Sequence, residues 1–279
     1  MSSQLSTIKQ TKELLEKYGL SPRKGLGQNF LVNKGVVEKL IKAGQIEKTD
    51  LVLEVGPGIG VLTKELAKAS RKVIAVEKDP QMVEILSKEL AELQIDNVEI
   101  VQDDIMEFLE KGGLAGQEYK VAGNIPFYLT AHLIRLLLEM PQPPKDMVFV
   151  LQKEVGQRIA SLPPKMTLLS ASVQFYAQPK LSGYIKRHSF WPVPAVDAAI
   201  IRITPKNPTP EVGRDLFFKI LKAGFSQPRK QLINNLSNSL KTDKIEINNW
   251  LLKNNIQPAQ RAETLSIGDW INLTQSYHS

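Results

Sequence analysis

The sequence contains no cysteine and only three histidines among its 279 residues. Without thiols the chain cannot form disulfides or thiolate metal sites, and His132, His188 and His278 do not have the spacing of a metal-binding motif. We therefore expect no bound metal. No apolar run approaches the roughly 18 residues needed to cross a membrane, and the polar first 20 residues lack the apolar core of a signal peptide. These absences predict a cytoplasmic protein without a membrane partner, which we expect to act as a monomer.

Positive charge is concentrated towards the two ends of the sequence. The net charge is +7, and residues 1–30 carry five lysines and arginines against two acids. Residues 214–244 carry seven lysines and arginines against Asp215 and Asp243. This modest excess favours a polyanionic partner without identifying it.

Strand and helix patterns alternate from residue 51 onwards. The segments "LVLEV", "KVIAVE", "VEIVQ", "YKVAG" and "DMVFVLQ" are typical of strands, and helical patterns separate most of them. Such an alternation predicts βαβ units and a mostly parallel sheet. We expect "SVQFYAQ" and "DAAIIRITP" to close the sheet with an antiparallel pair. Before the sheet, residues 9–18 and 34–44 are predicted helices, joined by a glycine-rich basic loop.

A proline-rich segment, "TPKNPTPE" at residues 204–211, is a candidate linker. The sequence after it has helical periodicity throughout. We therefore predict an α/β domain over residues 1–205, with a basic arm at 1–33, and a small all-helical domain over residues 206–279.

Three glycines lie between the first predicted strand of the sheet and its helix. Gly56, Gly58 and Gly60 in "LEVGPGIGVLT" allow a ligand to approach the backbone closely, although a tight turn explains them equally well. The spacing is neither the dinucleotide fingerprint nor a phosphate-binding P-loop. The glycines alone are therefore a weak signal.

Acidic residues follow the next two predicted strands. Glu77 could accept hydrogen bonds from ribose hydroxyls, and Asp104, with Asp103 as a competitor, could accept one from an adenine amine. Each could instead cap a helix or lie in solvent. Together with the glycines, they fall at the carboxyl ends of successive strands, where open α/β sheets bind ligands. They suit an adenosine cofactor without requiring a pyrophosphate.

The motif "NIPF" begins with Asn124 at the end of the fourth strand of this run. Its amide oxygen and the carbonyl of residue 125 could hold the N–H groups of an exocyclic amine, while Phe127 or Tyr128 offers a face for a base. This chemistry suits methyl transfer to adenine N6, which is a poor nucleophile and needs positioning. An ordinary turn with core aromatics is the alternative.

The motif resembles that of S-adenosylmethionine-dependent adenine-N6 methyltransferases. The chain also resembles the small-subunit ribosomal RNA adenine dimethyltransferases in the stretches "KGLGQNFL", "FWPVPAVDAAI", "FSQPRKQLINNL" and "RAETLS". This resemblance extends from about Pro22 to Trp270. The resemblance implies a Rossmann-like class I S-adenosylmethionine-dependent methyltransferase sheet with a small C-terminal all-helical domain. It also implies dimethylation at N6 of two adjacent adenosines in the 3′-terminal hairpin of 16S ribosomal RNA, within a late small-subunit precursor.

The resemblance assigns roles to individual residues. Asn124 would hold the target N6, with Phe127 and Phe190 on either side of the base, although Phe190 could equally be a core residue. The cofactor contacts that it implies are Asn29, Leu31, Gly56, Gly58, Glu77, Asp104 and Asn124, with Gln28 nearby. Two departures occur: Phe127 stands where many relatives have tyrosine, and Ala198 replaces a common serine.

The basic residues of the C-terminal region are candidates for contacts with RNA. Lys222, Arg229 and Lys230 could form a phosphate-binding face, which would give salt-dependent affinity with little sequence reading. A solvated helix face is the alternative. Specificity would then come from RNA shape and from an unstacked base.

Three other functions remain open from the sequence. An antibiotic-resistance methyltransferase acting on 23S ribosomal RNA shares similar motifs, but "FSQPRKQLINNL" and the helical tail argue against it. A ribosome-assembly or transcription factor would not need Glu77, Asp104 and Asn124 intact. A DNA adenine methyltransferase would usually carry an added target-recognition region, for which we find no room.

Overall fold

The computed structural model describes residues 8–23, 28–126, 128–207 and 210–277. Its strands are β1 (Phe30–Leu31), β2 (Leu51–Val55), β3 (Lys72–Glu77), β4 (Val98–Gln102), β5 (Lys120–Asn124), β6 (Asp146–Gln152), β7 (Ala177–Ile185), β8 (Phe190–Trp191) and β9 (Ala198–Pro205). Its α-helices are α1 (Ile8–Lys17), α2 (Lys34–Ala43), α3 (Val61–Ala69), α4 (Pro80–Glu92), α5 (Ile105–Glu110), α6 (Thr130–Glu139), α7 (Lys153–Ile159), α8 (Leu168–Tyr176), α9 (Arg214–Gly224), α10 (Leu232–Leu240), α11 (Lys244–Lys253) and α12 (Ile267–Gln275). None of the helices in these ranges is long and apolar enough to cross a membrane.

Seven of the described strands form one sheet in the order β4-β3-β2-β5-β6-β9-β7. Strands β2 to β6 pair in parallel, and β9 runs antiparallel to β6. The predicted mostly parallel sheet is therefore confirmed. The strand order reverses between β2 and β5, and open α/β sheets bind their ligands at such a switch point, beyond the carboxyl ends of the strands.

The sheet is held by apolar side chains from the strands and from the helices beside them. Strand β2 is buried along its whole length, as expected for a central parallel strand. Leu40, Leu66 and Leu86, from α2, α3 and α4, lie in one core cluster with the strands. This packing fixes the ends of β2, β3 and β5, which carry the candidate site.

Helix α1 lies beside the glycine loop through a separate apolar cluster. Leu14 and Leu15 pack there with Phe30, Ile59 and Met82. Strand β1, which contains Phe30, forms a short antiparallel ribbon with β8. The described parts of the N-terminal arm therefore pack against the α/β sheet unit.

One predicted strand is wrong. The segment "SVQFYAQ" at residues 172–178 is mostly the last part of α8, and β7 begins only at Ala177. A capping box between Thr167 and Ser170 begins this helix. The run of β-branched and aromatic residues suggested a strand, whereas the cap and the burial of several faces of the helix favour the helical state.

Contacts divide the chain into two compact units. The first extends to Gly156 and includes Lys180–Pro205, while the second contains Gln157–Pro179 and the chain from Lys206 onwards. This division groups residues 157–179, which the sequence placed in the first domain, with the helices that follow the proline-rich segment. Aromatic packing explains the grouping, because the rings of Phe175 on α8 and Phe217 on α9 stack at 4.1 Å.

Candidate active site

The glycine loop connects β2 to α3 with an unusual backbone. Gly56, Gly58 and Gly60 all have positive φ, at 65°, 54° and 82°. Glycine is the residue that adopts this region readily. A side chain added at Gly56 would meet nothing within 4 Å, so the backbone there faces open space. The loop therefore leaves room for a ligand at the end of β2.

Glu77 at the end of β3 is held by the backbone around it. Its Oε2 accepts a hydrogen bond from Gly58 N at 3.0 Å, and its Oε1 accepts one from Asp79 N at 2.9 Å. Burial raises the pKa of Glu77, although these hydrogen bonds partly offset the shift. Each carboxylate oxygen can accept a further bond, so Glu77 is positioned to receive two hydroxyl donors.

Asp104 has two partners in the structure. Its Oδ1 caps α5 by accepting from Met106 N at 2.9 Å, and its Oδ2 accepts from Lys78 Nζ at 2.8 Å. The hydrogen bond from Lys78 lowers the pKa of Asp104 below its ordinary value. Asp104 is therefore ionised at neutral pH and keeps acceptor capacity for a third donor.

Asn124 ends β5 with a defined amide orientation. Its Nδ2 donates a hydrogen bond to the backbone oxygen of Asn29 at 2.9 Å. This contact fixes the amide so that Oδ1 is the atom it can offer to a donor. It also ties the segment before β1 to the end of the central strand.

Most of the residues that the sequence singled out line one pocket. All of the predicted cofactor contacts are among them: Asn29, Leu31, Gly56, Gly58, Glu77, Asp104 and Asn124, together with Gln28. Phe190 does not line this pocket. It is 3% exposed and lines a second, smaller pocket together with Asn29, Asn124 and Pro126.

The smaller pocket has a volume of about 20 Å³, which is close to the room that one water needs. A purine could enter only after Phe190 or its neighbours move. The role of Phe190 in stacking on a target base therefore stays a prediction. Phe127, the other predicted stacking residue, lies outside the described residues.

The predicted RNA contacts lie in the second unit. Lys222 is in the last turn of α9, and Arg229 and Lys230 lie in the connection before α10. All three side chains are exposed. Their exposure leaves them accessible to phosphate groups, and contact with RNA stays a prediction.

Sequence reasoning missed one acidic residue in the larger pocket. Glu54 on β2 is 1% exposed, and its carboxyl group lies beside the hydroxyl of Thr63, which is fully buried as well. Burial raises the pKa of Glu54 to about 8; the neighbouring Thr63 hydroxyl opposes this shift and the charge of Glu77 adds to it. An acid just before a glycine loop, inside an otherwise apolar strand, was the available signal.

The sequence also did not identify the contacts that anchor the N-terminal arm. Asp79 accepts from Gln28 Nε2 at 3.0 Å and lies 3.5 Å from Arg23 Nη1, while the second guanidinium nitrogen of Arg23 donates to Gln81. Asp79 is 3% exposed and caps α4. These contacts hold the residues on both sides of 24–27 next to the pocket.

Among the described residues, no group of three or more histidine or acidic side chains is placed to hold a metal ion. The sheet order, the glycine loop and the acid at the end of β3 define a class I S-adenosylmethionine-dependent methyltransferase. Two solved structures share this fold over most of the chain. A dimethyladenosine transferase from Plasmodium falciparum is 25% identical, with a TM-score of 0.72 over 86% of this chain and 94% of that one. The 23S rRNA methyltransferase ErmE is 21% identical, with a TM-score of 0.73 over 90% of this chain and 100% of that one.

The sequence comparisons identify the family. The family model for ribosomal RNA adenine dimethylase matches residues 19–279. A ribosomal RNA small subunit methyltransferase A from Dehalococcoides mccartyi is 39% identical over 99% of this chain and 96% of that protein. The protein of the same name from Bacillus cereus is 37% identical over 98% and 97%. This chain therefore belongs to the ribosomal RNA adenine dimethylase family.

Proposed function

We propose that the protein transfers methyl groups from S-adenosylmethionine to N6 of two adjacent adenosines in the 3′-terminal hairpin of 16S ribosomal RNA, dimethylating each. The substrate in this proposal is a late precursor of the small ribosomal subunit in the cytoplasm, and the enzyme acts as a monomer. The family and the names of its relatives support the reaction. The observation that carries the proposal is the oriented amide of Asn124, which lines both pockets.

The larger pocket fits the cofactor. The open space at Gly56 admits an adenosine-containing ligand, and Glu77 has acceptor capacity suited to the two ribose hydroxyls. Asp104 is an ionised acceptor for the adenine amine, and Asn29 and Leu31 complete the wall. When bound, S-adenosylmethionine supplies an electrophilic methyl group on a sulfonium centre.

The residues of the chain then act on the target base. Asn124 Oδ1 accepts a hydrogen bond from the N6 amine, and the carbonyl of Ile125 accepts the second. The backbone of Ile125 is held in place by a hydrogen bond, because Ile125 N donates to Val150 O at 3.2 Å. In the first transfer, holding both N–H groups would favour a more pyramidal nitrogen whose lone pair can attack. Each transfer would release S-adenosylhomocysteine and one proton from N6, so one N–H remains to be held in the second. Catalysis would come from positioning and electrostatics, with no strong base.

The base has to leave its stack to reach Asn124. Phe127 and Phe190 would lie on its two faces, which adds roughly 1–3 kcal/mol of binding for each stacked base. Lys222, Arg229 and Lys230 would contact phosphates of the folded RNA. Such contacts set affinity and register, whereas the shape of the RNA selects the site.

The test is methyl transfer to unmethylated small and large ribosomal subunits, with the modified nucleotides mapped by mass spectrometry. We expect N6,N6-dimethyladenosine at the two adjacent positions of the small subunit only. Methylation of large-subunit RNA instead would favour the activity of the antibiotic-resistance type. No methylation of either subunit, by enzyme that binds the cofactor, would contradict the proposal and favour an assembly factor.

Asn124→Ala should lower the rate of methyl transfer by about 100-fold or more, while the affinity for S-adenosylhomocysteine falls much less. Asn97→Ala is the matched control. Asn97 lies just before β4, and its Nδ2 also donates to a backbone oxygen, that of Ala67 at 2.8 Å. The control loses a similar contact far from the reacting atoms and should keep its activity. Equal activity of the two variants would remove Asn124 from the mechanism.

A further inference from the structure

A cluster of positive side chains lies on the turn that leads into β8. Lys186 and Arg187 are exposed, and Arg187 begins a single 3₁₀ turn, Arg187–Ser189, directly before Phe190. Lys153 at the start of α7 joins them from another element. Neither the family motifs quoted above nor the proposed catalytic steps use these three cations.

All three residues contact Asp197, Lys186 through its side chain and Lys153 and Arg187 through their backbone N–H groups. Asp197 Oδ1 accepts a hydrogen bond from Arg187 N at 2.9 Å, and Lys186 Nζ lies 3.7 Å from Asp197 Oδ2. Lys153 N donates to the backbone oxygen of Asp197 at 3.0 Å. The pKa of Asp197 is lowered, first by the Arg187 N–H and then by the charges of Lys186, Lys153 and Arg187. Asp197 therefore offsets at most one of the three positive charges.

The cluster borders the smaller pocket. Phe190 follows the 3₁₀ turn, Ala198 follows Asp197, and both line that pocket with Asn124. Arg187 Nη1 also donates to the backbone oxygen of Ala195 at 3.5 Å, across the loop between β8 and β9. The excess charge is therefore carried by segments that directly adjoin the wall of the place where the target base is proposed to bind.

Stability does not account for the excess. The Lys186 side chain is 85% exposed and its contact with Asp197 is long, and such exposed pairs contribute roughly 0–1 kcal/mol. The Lys153 ammonium lies 5.5 Å from the ring centroid of Tyr184, which is itself 57% exposed. Cations held beside a pocket with their charge unbalanced are suited to an anionic ligand.

We propose that Lys153, Lys186 and Arg187 bind the phosphodiester groups that flank the target adenosine in the RNA strand. A base that has left its stack keeps its two neighbouring phosphates, and these must lie near the mouth of the pocket that receives it. Asp197 is a positioning residue that holds the turn through Arg187 N. The inference rests on the proposed function, because it takes the pocket beside Asn124 as the site of the target base.

The test compares two double variants that remove the same charge. Lys186→Gln with Arg187→Gln removes two cations of the cluster, and Lys72→Gln with Lys145→Gln removes two exposed lysines at the amino ends of β3 and β6. Both control lysines are in exposed ion pairs, with Glu99 at 2.7 Å and Glu118 at 2.7 Å. Binding of unmethylated small subunits is measured by filter retention in the presence of S-adenosylhomocysteine, at several salt concentrations. Melting temperature and cofactor affinity are measured in parallel.

We expect the cluster variant to bind about tenfold more weakly near 0.1 M salt, and its slope of log affinity against log salt to fall by about 1.4 to 1.8. The Michaelis constant for the subunit should rise with little change in kcat. Adding Lys153→Gln should reduce the slope further. The control variant should match the wild type in all of these measurements.

Equal binding and equal salt slopes for the two double variants would overturn the inference. So would a weaker affinity with an unchanged salt slope, because that result indicates a structural effect. Failure of the proposed function is distinguishable, since it would appear as absent methylation by the wild-type enzyme, whereas the binding comparison does not depend on turnover.

Discussion

Replacing Glu54 with glutamine should stabilise the protein increasingly as the pH rises from about 5 to 8. The pKa of this buried carboxyl is raised from 4.5 to about 8 in the folded protein. Between these values the folded state keeps a proton that the unfolded state has released. The contribution of Glu54 to the stability of the wild type therefore falls with rising pH, by about 1.4 kcal/mol per unit. Glutamine does not titrate, so the variant lacks this loss.

The magnitude follows from the pH interval. Between about pH 5.5 and 7.5 the difference in unfolding free energy between variant and wild type should grow by about 2–3 kcal/mol, and it should level off above about pH 8. Urea unfolding of both proteins at several pH values measures it. Glu99→Gln is the control, because Glu99 is exposed and paired with Lys72, and its difference should not grow in this direction. A constant difference for Glu54→Gln would refute a buried, protonated Glu54.

Two further substitutions test the role of Asp104 in cofactor binding and the packing around the glycine loop. Asp104→Asn should leave the melting temperature nearly unchanged, because asparagine caps helices as well as aspartate, but it should weaken S-adenosylhomocysteine binding about tenfold in calorimetry by losing a charged acceptor. Unchanged binding would make Asp104 a cap alone. Gly60→Ala should lower stability by about 1–3 kcal/mol more than Gly116→Ala, because both glycines have positive φ but only at Gly60 would the new methyl group meet a core side chain, Leu86. Equal melting temperatures for these two variants would contradict the packing described around the loop.

Much of the sheet could be predicted because its strands are continuous apolar runs bounded by turns. Strands β2, β3, β4 and β6 have the predicted limits, and β5 is displaced by one residue. The segment at 172–178 could not be assigned this way, since its composition favours a strand while its helical state depends on the Thr167 cap and on packing against α9. Local propensity yields to tertiary contacts in such cases.

The site was predictable where it depends on strand ends. Parallel strands end at one edge of the sheet, so Glu77, Asp104 and Asn124 could be placed together from their positions in the sequence alone. Contacts between distant segments could not be found in this way. The link from Asn29 to Asn124 and the link from Arg23 to Asp79 join residues separated by 95 and 56 positions. The raised pKa of Glu54 likewise depends on burial that only the folded sheet creates.

In the proposed function, the larger pocket holds the cofactor with its methyl group directed at the amide of Asn124. A crystal structure of the protein with bound S-adenosylhomocysteine would show this arrangement. We expect the sulfur atom to face the Asn124 side chain and the ribose hydroxyls to bind Glu77. A sulfur atom that points away from Asn124, or a ribose held elsewhere, would contradict it.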